Sequence, residues 1–169
     1  MSEEKSNIVL IGMPASGKST VGVQLAKWLS MGFIDTDLLV QARAGESMQQ
    51  FQDANGLESY QALECETVNS LVCENCVIAT GGSAVYCESA MQHLQQMARF
   101  VFLDVPLNEI KTRIGDYSGR GVVIRPGMTL DDLYAERRPL YLKYADIVID
   151  CAGKGQDELL LEIPKIIKH

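Results

Sequence analysis

The 169-residue sequence predicts an α/β fold, a parallel five-stranded sheet with helices on both faces in three layers. Short, nearly continuous apolar runs alternate with longer amphipathic stretches along the whole chain. The apolar runs show no in-out alternation, which is the mark of strands covered on both sides. The first three runs each stop at a chemically unusual cluster: "GMPASGKST" from Gly12, "DTD" from Asp35 and "TGGS" from Thr80. In open parallel sheets such clusters meet at the carboxyl ends of the strands, where ligands bind.

Each element follows from local pattern. Ile8–Ile11 is the first strand, and Thr20–Leu29 reads as a helix with Leu25, Trp28 and Leu29 along one side. Gly32-Phe33-Ile34 opens a second strand that ends at Asp35-Thr36-Asp37. Helical pieces follow, broken near Gly45 and at Asn55-Gly56, the last running from about Leu57 to Val72. Val77–Thr80 is the third strand, Glu88–Met97 a helix, and Phe100–Leu103 the fourth strand. Pro106 suits the first turn of the helix that continues through Arg113. Residues 114–127 are rich in Gly and Arg with weak periodicity, and a short mobile lid is expected over about 114–128. Leu130–Tyr144 is helical despite Pro139, Ile147–Ile149 is the fifth strand, and a helix ends the chain. No linker or composition shift interrupts residues 1–169, which therefore form one domain.

The composition is 47% hydrophobic and 22% charged, ordinary for a globular domain. A net charge of −7 argues against a nucleic-acid partner, which calls for a basic face. The opening "MSEEKSN" has neither signal- nor transit-peptide character, and no apolar run approaches the ~20 residues that span a bilayer. A cytoplasmic protein without membrane attachment is expected. No heptad seam argues for assembly, so monomer is the default. The five cysteines, Cys65, Cys73, Cys76, Cys87 and Cys151, are odd in number and are expected to be reduced thiols. Cys73-x-x-Cys76 would be half a zinc site, but His93 and His169 do not supply the other half.

The first cluster fits G-x-x-x-x-G-K-[ST] through Gly12, Gly17, Lys18 and Ser19, after a buried strand and before a helix. This is the P-loop pattern, and it makes the expected fold P-loop NTPase-like. Glycines let backbone N–H groups close on phosphate oxygens, and the helix start adds partial positive charge. Gly12, Ala15, Ser16, Gly17, Lys18, Ser19 and Thr20 would cradle the phosphates of ATP, with Lys18 on the β- and γ-phosphates and the Ser19 hydroxyl on Mg²⁺. In "FIDTD", two carboxylates stand two residues apart just past a strand. One could hold Mg²⁺ and the other could orient or deprotonate an attacking hydroxyl. Asp37 is also well placed to cap the following helix.

The loop, "FIDTD", "VIATGGSAV" and "ERRPLYLKYADIVI" together resemble shikimate kinase, in the right order over essentially the whole chain. The resemblance implies a small kinase that moves the γ-phosphoryl group of ATP to a hydroxyl of a small acid. It implies Asp35 at Mg²⁺ and Asp37 at the acceptor hydroxyl. Backbone N–H groups of Gly81 and Gly82 would face the acceptor, and Arg137 would grip its carboxylate. Arg113 would lie over the adenine, and Arg120 would be the lid arginine that stabilises the transferring phosphate. Arg125 competes with Arg120 for that role, and Arg138 with Arg137.

Two positions depart from the family pattern. Where the family has G-E-x-x-F-R-x-x-E, this chain reads "GLESYQALE", with Gln61 for the arginine and Glu64 kept; Ser83 replaces the third glycine of G-G-G. A guanidinium grips a carboxylate through two charge-assisted bonds and Gln cannot. A neutral hydrogen bond contributes roughly 0.5–1.5 kcal/mol against ~1.5–3 for one to a charged group, so Gln61 would weaken the grip on the acid about tenfold. Either the acceptor is still shikimate, with another arginine compensating, or it carries its own ammonium, as homoserine does. A nucleoside monophosphate kinase and a non-catalytic nucleotide sensor are the remaining readings.

Overall fold

The computed structural model describes residues 5–115 and 122–168. Five parallel strands, β1 (Asn7–Ile11), β2 (Gly32–Asp35), β3 (Cys76–Ala79), β4 (Ala98–Asp104) and β5 (Ile147–Asp150), form one sheet in the order β2-β3-β1-β4-β5. Ile8 pairs with Val77 on one side and Arg99 on the other, and Asp35 pairs with Ala79. β1 is buried along its whole length, and Val9, Leu10, Ile78, Phe100, Val101 and Leu103 form the centre of the core. The expected architecture is therefore present, with each strand within a few residues of its predicted place.

The helices are α1 (Lys18–Leu29), α2 (Thr36–Ala44), α3 (Met48–Asn55), α4 (Leu57–Asn69), α5 (Glu88–Met97), α6 (Leu107–Ile114), α7 (Leu130–Tyr144) and α8 (Gln156–Ile167). The breaks at Gly45 and Gly56 fall where glycine takes positive φ. Ser47 opens α3 and Thr129 opens α7 with reciprocal capping boxes. A short 3₁₀ turn, Ala84–Tyr86, follows the "TGGS" cluster.

Three expectations need correction. Trp28 is 60% exposed, because α1 buries Val21, Gly22, Leu25 and Ala26 and leaves Trp28 at the margin of that stripe. α4 stops at Asn69 rather than Val72; Asn7 at the start of β1 donates to the Cys73 carbonyl and holds that segment extended toward β3. Cys65 and Cys87 are joined in a disulfide with Cα atoms 5.7 Å apart, leaving Cys73, Cys76 and Cys151 free. Spacing alone does not reveal this pair, because the packing of α4 on α5 and the 3₁₀ turn brings its members together across 22 residues. Among the described residues no helix is long and apolar enough to cross a membrane, and no cluster of three or more His, Cys, Asp or Glu could hold a metal.

Candidate active site

The sheet order sets β3 between β2 and β1, so all three predicted clusters emerge side by side at the carboxyl edge. Gly12 leaves β1 at φ 151°, where a Cβ would stand 2.9 Å from the Leu103 carbonyl; only glycine fits that approach. Gly17, also at positive φ, is the N-cap of α1 and contributes no side-chain cap, so the first-turn N–H groups stay free to take an anion. Lys18 is buried. Its Nζ donates to the carbonyls of Gly12 and Met13, each at 2.8 Å, and to Ser16 Oγ at 3.3 Å. Burial lowers its pKa to about 8, with the Asp37 carboxylate pulling the other way.

Asp35 ends β2 and Asp37 lies in the first turn of α2. The cap of α2 is Asp35, whose Oδ1 accepts from the Asp37 backbone N–H at 3.0 Å; Asp37 is not the cap, and its side chain is left to face the cavity. Asp35 Oδ2 accepts from Ser19 Oγ at 2.7 Å. A hydroxyl and a carboxylate oxygen, side by side at the mouth of the phosphate loop, suit Mg²⁺. That ion takes one or two protein oxygens and fills its octahedron with phosphate and water. Burial, and then the Asp35 charge, raise the Asp37 carboxyl to about 6.

Opposite the loop, α4 and α7 close the site. A cavity of about 270 Å³ is lined by Lys18, Ser19 and Thr20 on one side and by Asp37, Glu64 and Ser83 on the other. Arg137 is fully buried. Its Nε donates to Tyr86 Oη at 3.2 Å, its Nη2 donates to the Val123 carbonyl, and its Nη1 has no partner among the described residues. A Cβ on Gly82 would stand 2.8 Å from that Nη1, and Tyr141 Oη, one helical turn along α7, fixes the Gly82 carbonyl at 2.7 Å. Glu64 is only 2% exposed; its Oε1 accepts from Ser83 Oγ and its Oε2 has no partner among the described residues. Burial pushes this carboxyl up to about 7; the Ser83 hydrogen bond opposes the rise and the Asp37 charge adds to it. The site thus presents an unmet cationic donor and an unmet acidic acceptor on the two sides of Gly81-Gly82.

The loop residues, Asp35, Asp37, Gly81, Gly82 and Arg137 converge as expected. Arg113 lies on α6, donates to the Ala15 carbonyl at 3.3 Å and lines a second cavity with Ser16, Thr20 and Gln156. Arg138 is held away by Asp104 through bonds of 3.1 and 2.7 Å, so of the two neighbours only Arg137 faces Gly82. Arg125 pairs with Glu136 at 2.7 Å, and Arg120 lies outside the described residues. Gln61 is half-buried on α4 and does not line the cavity. Ser83 and Tyr86 are site residues that sequence reasoning did not place. The replaced third glycine was the only signal for Ser83, and nothing local marked Tyr86.

Residues 14–168 match the family model for shikimate kinase. The shikimate kinase of Francisella tularensis subsp. holarctica is 34% identical over 153 residues, 87% of this chain and 86% of that protein. Among solved structures, shikimate kinase from Acinetobacter baumannii in complex with shikimate superposes with a TM-score of 0.86 at 28% identity, covering 98% of this chain and 94% of that one. Shikimate kinase from Aquifex aeolicus superposes with a TM-score of 0.83 at 36% identity and 96% coverage of both.

Proposed function

The chain belongs to the shikimate kinase family, and from that premise we propose that it transfers the γ-phosphoryl group of ATP to a hydroxyl of shikimate. One observation carries the assignment to this site: a single cavity is walled by the phosphate loop and by Asp37, with the unmet Arg137 Nη1 beside Gly82.

Phosphoryl transfer depends on positioning and on charge stabilisation more than on covalent chemistry. The free N–H groups at the start of α1 and the Lys18 ammonium bind the phosphate tail, and Arg113 borders the cavity that receives the base. Ser19 and Asp35 would hold Mg²⁺, which would supply charge neutralisation at the phosphates. Asp37 orients the attacking hydroxyl and takes its proton. Arg137 Nη1 receives the acceptor carboxylate, and the absence of side chains at Gly81 and Gly82 lets the acceptor lie against the backbone. Arg125 is paired with Glu136, which favours Arg120 as the arginine that stabilises the transferring phosphate. The same reading makes the chain one domain, at work in the cytoplasm.

The test is an ADP-release assay of purified protein with MgATP and, separately, shikimate, homoserine and a panel of nucleoside monophosphates. Turnover with shikimate alone is expected. Turnover of homoserine or of a monophosphate, with shikimate inert, overturns the assignment.

A further inference from the structure

Glu64 is a buried carboxylate with one oxygen bonded and one left open. Oε1 accepts from Ser83 Oγ, and among the described residues Oε2 has no partner. A Cβ built on Gly81 would stand 2.4 Å from Glu64 Oε2 and 2.5 Å from Asp37 Oδ1, so the two carboxylate oxygens flank one backbone position. Both acids and Ser83 line the cavity. A buried carboxylate oxygen without a donor is costly, and here the acceptor is the group that comes to lie against it.

The terminal torsion of a glutamate is broad and roughly two-fold, so nothing intrinsic to the side chain selects which oxygen faces the cavity. The Ser83 hydroxyl does. It is buried between Gly82 and the 3₁₀ turn, on backbone whose neighbouring carbonyl is fixed by Tyr141. Gln61, one helical turn before Glu64, brings no guanidinium to this carboxylate, which leaves the serine as its hydrogen-bond donor.

We infer that Ser83 is a positioning residue of the acceptor site: by donating to Glu64 Oε1 it aims Oε2 at a second hydroxyl of the acceptor, next to the one that faces Asp37. The inference rests on the shikimate reading above. It narrows the acceptor to a carboxylate that bears two neighbouring hydroxyls. Asp37 takes the reacting one, Glu64 the other, and Arg137 the acid.

The experiment is steady-state kinetics of Ser83→Ala, Ser83→Gly and Ser83→Thr with shikimate and MgATP, beside thermal melts of each. Loss of the hydrogen bond that orients this carboxylate predicts a five- to tenfold rise, roughly, in shikimate KM for the Ala and Gly variants. Their KM for ATP and their kcat should stay within about twofold of wild type by the same count, and Ser83→Thr should recover most of the loss. An unchanged shikimate KM in Ser83→Ala overturns the inference. So does an equal rise in both KM values with a lowered Tm, which would mark a merely structural serine, or a Thr variant no better than Ala. If wild type itself fails to turn over shikimate, the proposed function falls first and takes this inference with it. Active wild type with kinetically silent Ser83 variants sinks the inference alone.

Discussion

Replacing Arg137 by Met removes the guanidinium while keeping an unbranched apolar side chain in its buried slot. On the folding side, two charge-assisted hydrogen bonds disappear, to Tyr86 Oη and to the Val123 carbonyl, for a loss of about 3–6 kcal/mol. Against this, the fold no longer buries Nη1 without a partner, a relief of about 1–3 kcal/mol. The relief offsets only part of the loss, so Tm should fall by several degrees. On the binding side nothing cancels. A charged hydrogen bond to the acceptor carboxylate contributes about 1.5–3 kcal/mol, which corresponds to a rise of roughly 10- to 150-fold in acceptor KM. The ATP subsite lies on the other wall of the cavity, and KM for ATP should stay within about twofold. Initial rates at varied shikimate and varied ATP, with a melt of each protein, separate the two sides. An acceptor KM that stays at the wild-type value, or a defect shared equally with ATP, would refute the role given to Arg137.

Other outcomes follow from the same geometry. Asp37 and Glu64 interact and titrate as a pair, at about 6 and about 7, and Asp37 must be charged to accept a proton. The pH profile of kcat/KM for the acceptor should therefore fall on the acid side across that window, and a profile flat down to pH 5 would contradict it. Because both carboxyls sit above their unfolded values, the folded state binds the extra protons. Their contribution to stability is present at acid pH and is lost as pH rises through 6 to 7, which denaturant midpoints of Glu64→Gln against wild type should show as a flatter pH dependence. Gly81→Ala places a methyl carbon against both carboxylates and should abolish acceptor binding, while ATP binding measured by calorimetry persists. Reduction of Cys65–Cys87 opens a loop of 22 residues, which chain entropy values at about 3 kcal/mol. A Tm unchanged by a thiol reductant would show that this bond is not formed in solution.

Much of the site was legible because its chemistry is written in short stretches at strand ends. Gly12 to Thr20 needs only its own backbone to form the loop, and Asp35 and Gly81 follow once a parallel sheet is assumed. What stayed hidden depends on packing between distant segments. Ser83 meets Glu64 across 19 residues and Arg138 meets Asp104 across 34, and no periodicity encodes either contact. The sequence pointed to Asp37 as the cap of α2 and the structure gives that place to Asp35, since either acid lies within a residue or two of the helix start. The exposed Trp28 shows the converse limit: an apolar residue on the right helical face is not thereby covered.

The grip of Lys18 on its own loop has a consequence for the resting enzyme. Its ammonium has three oxygen partners within the loop, so a polyphosphate that binds there must exchange with them rather than meet a naked cation. A lone inorganic phosphate, with fewer contacts to offer in return, should compete poorly for the cradle.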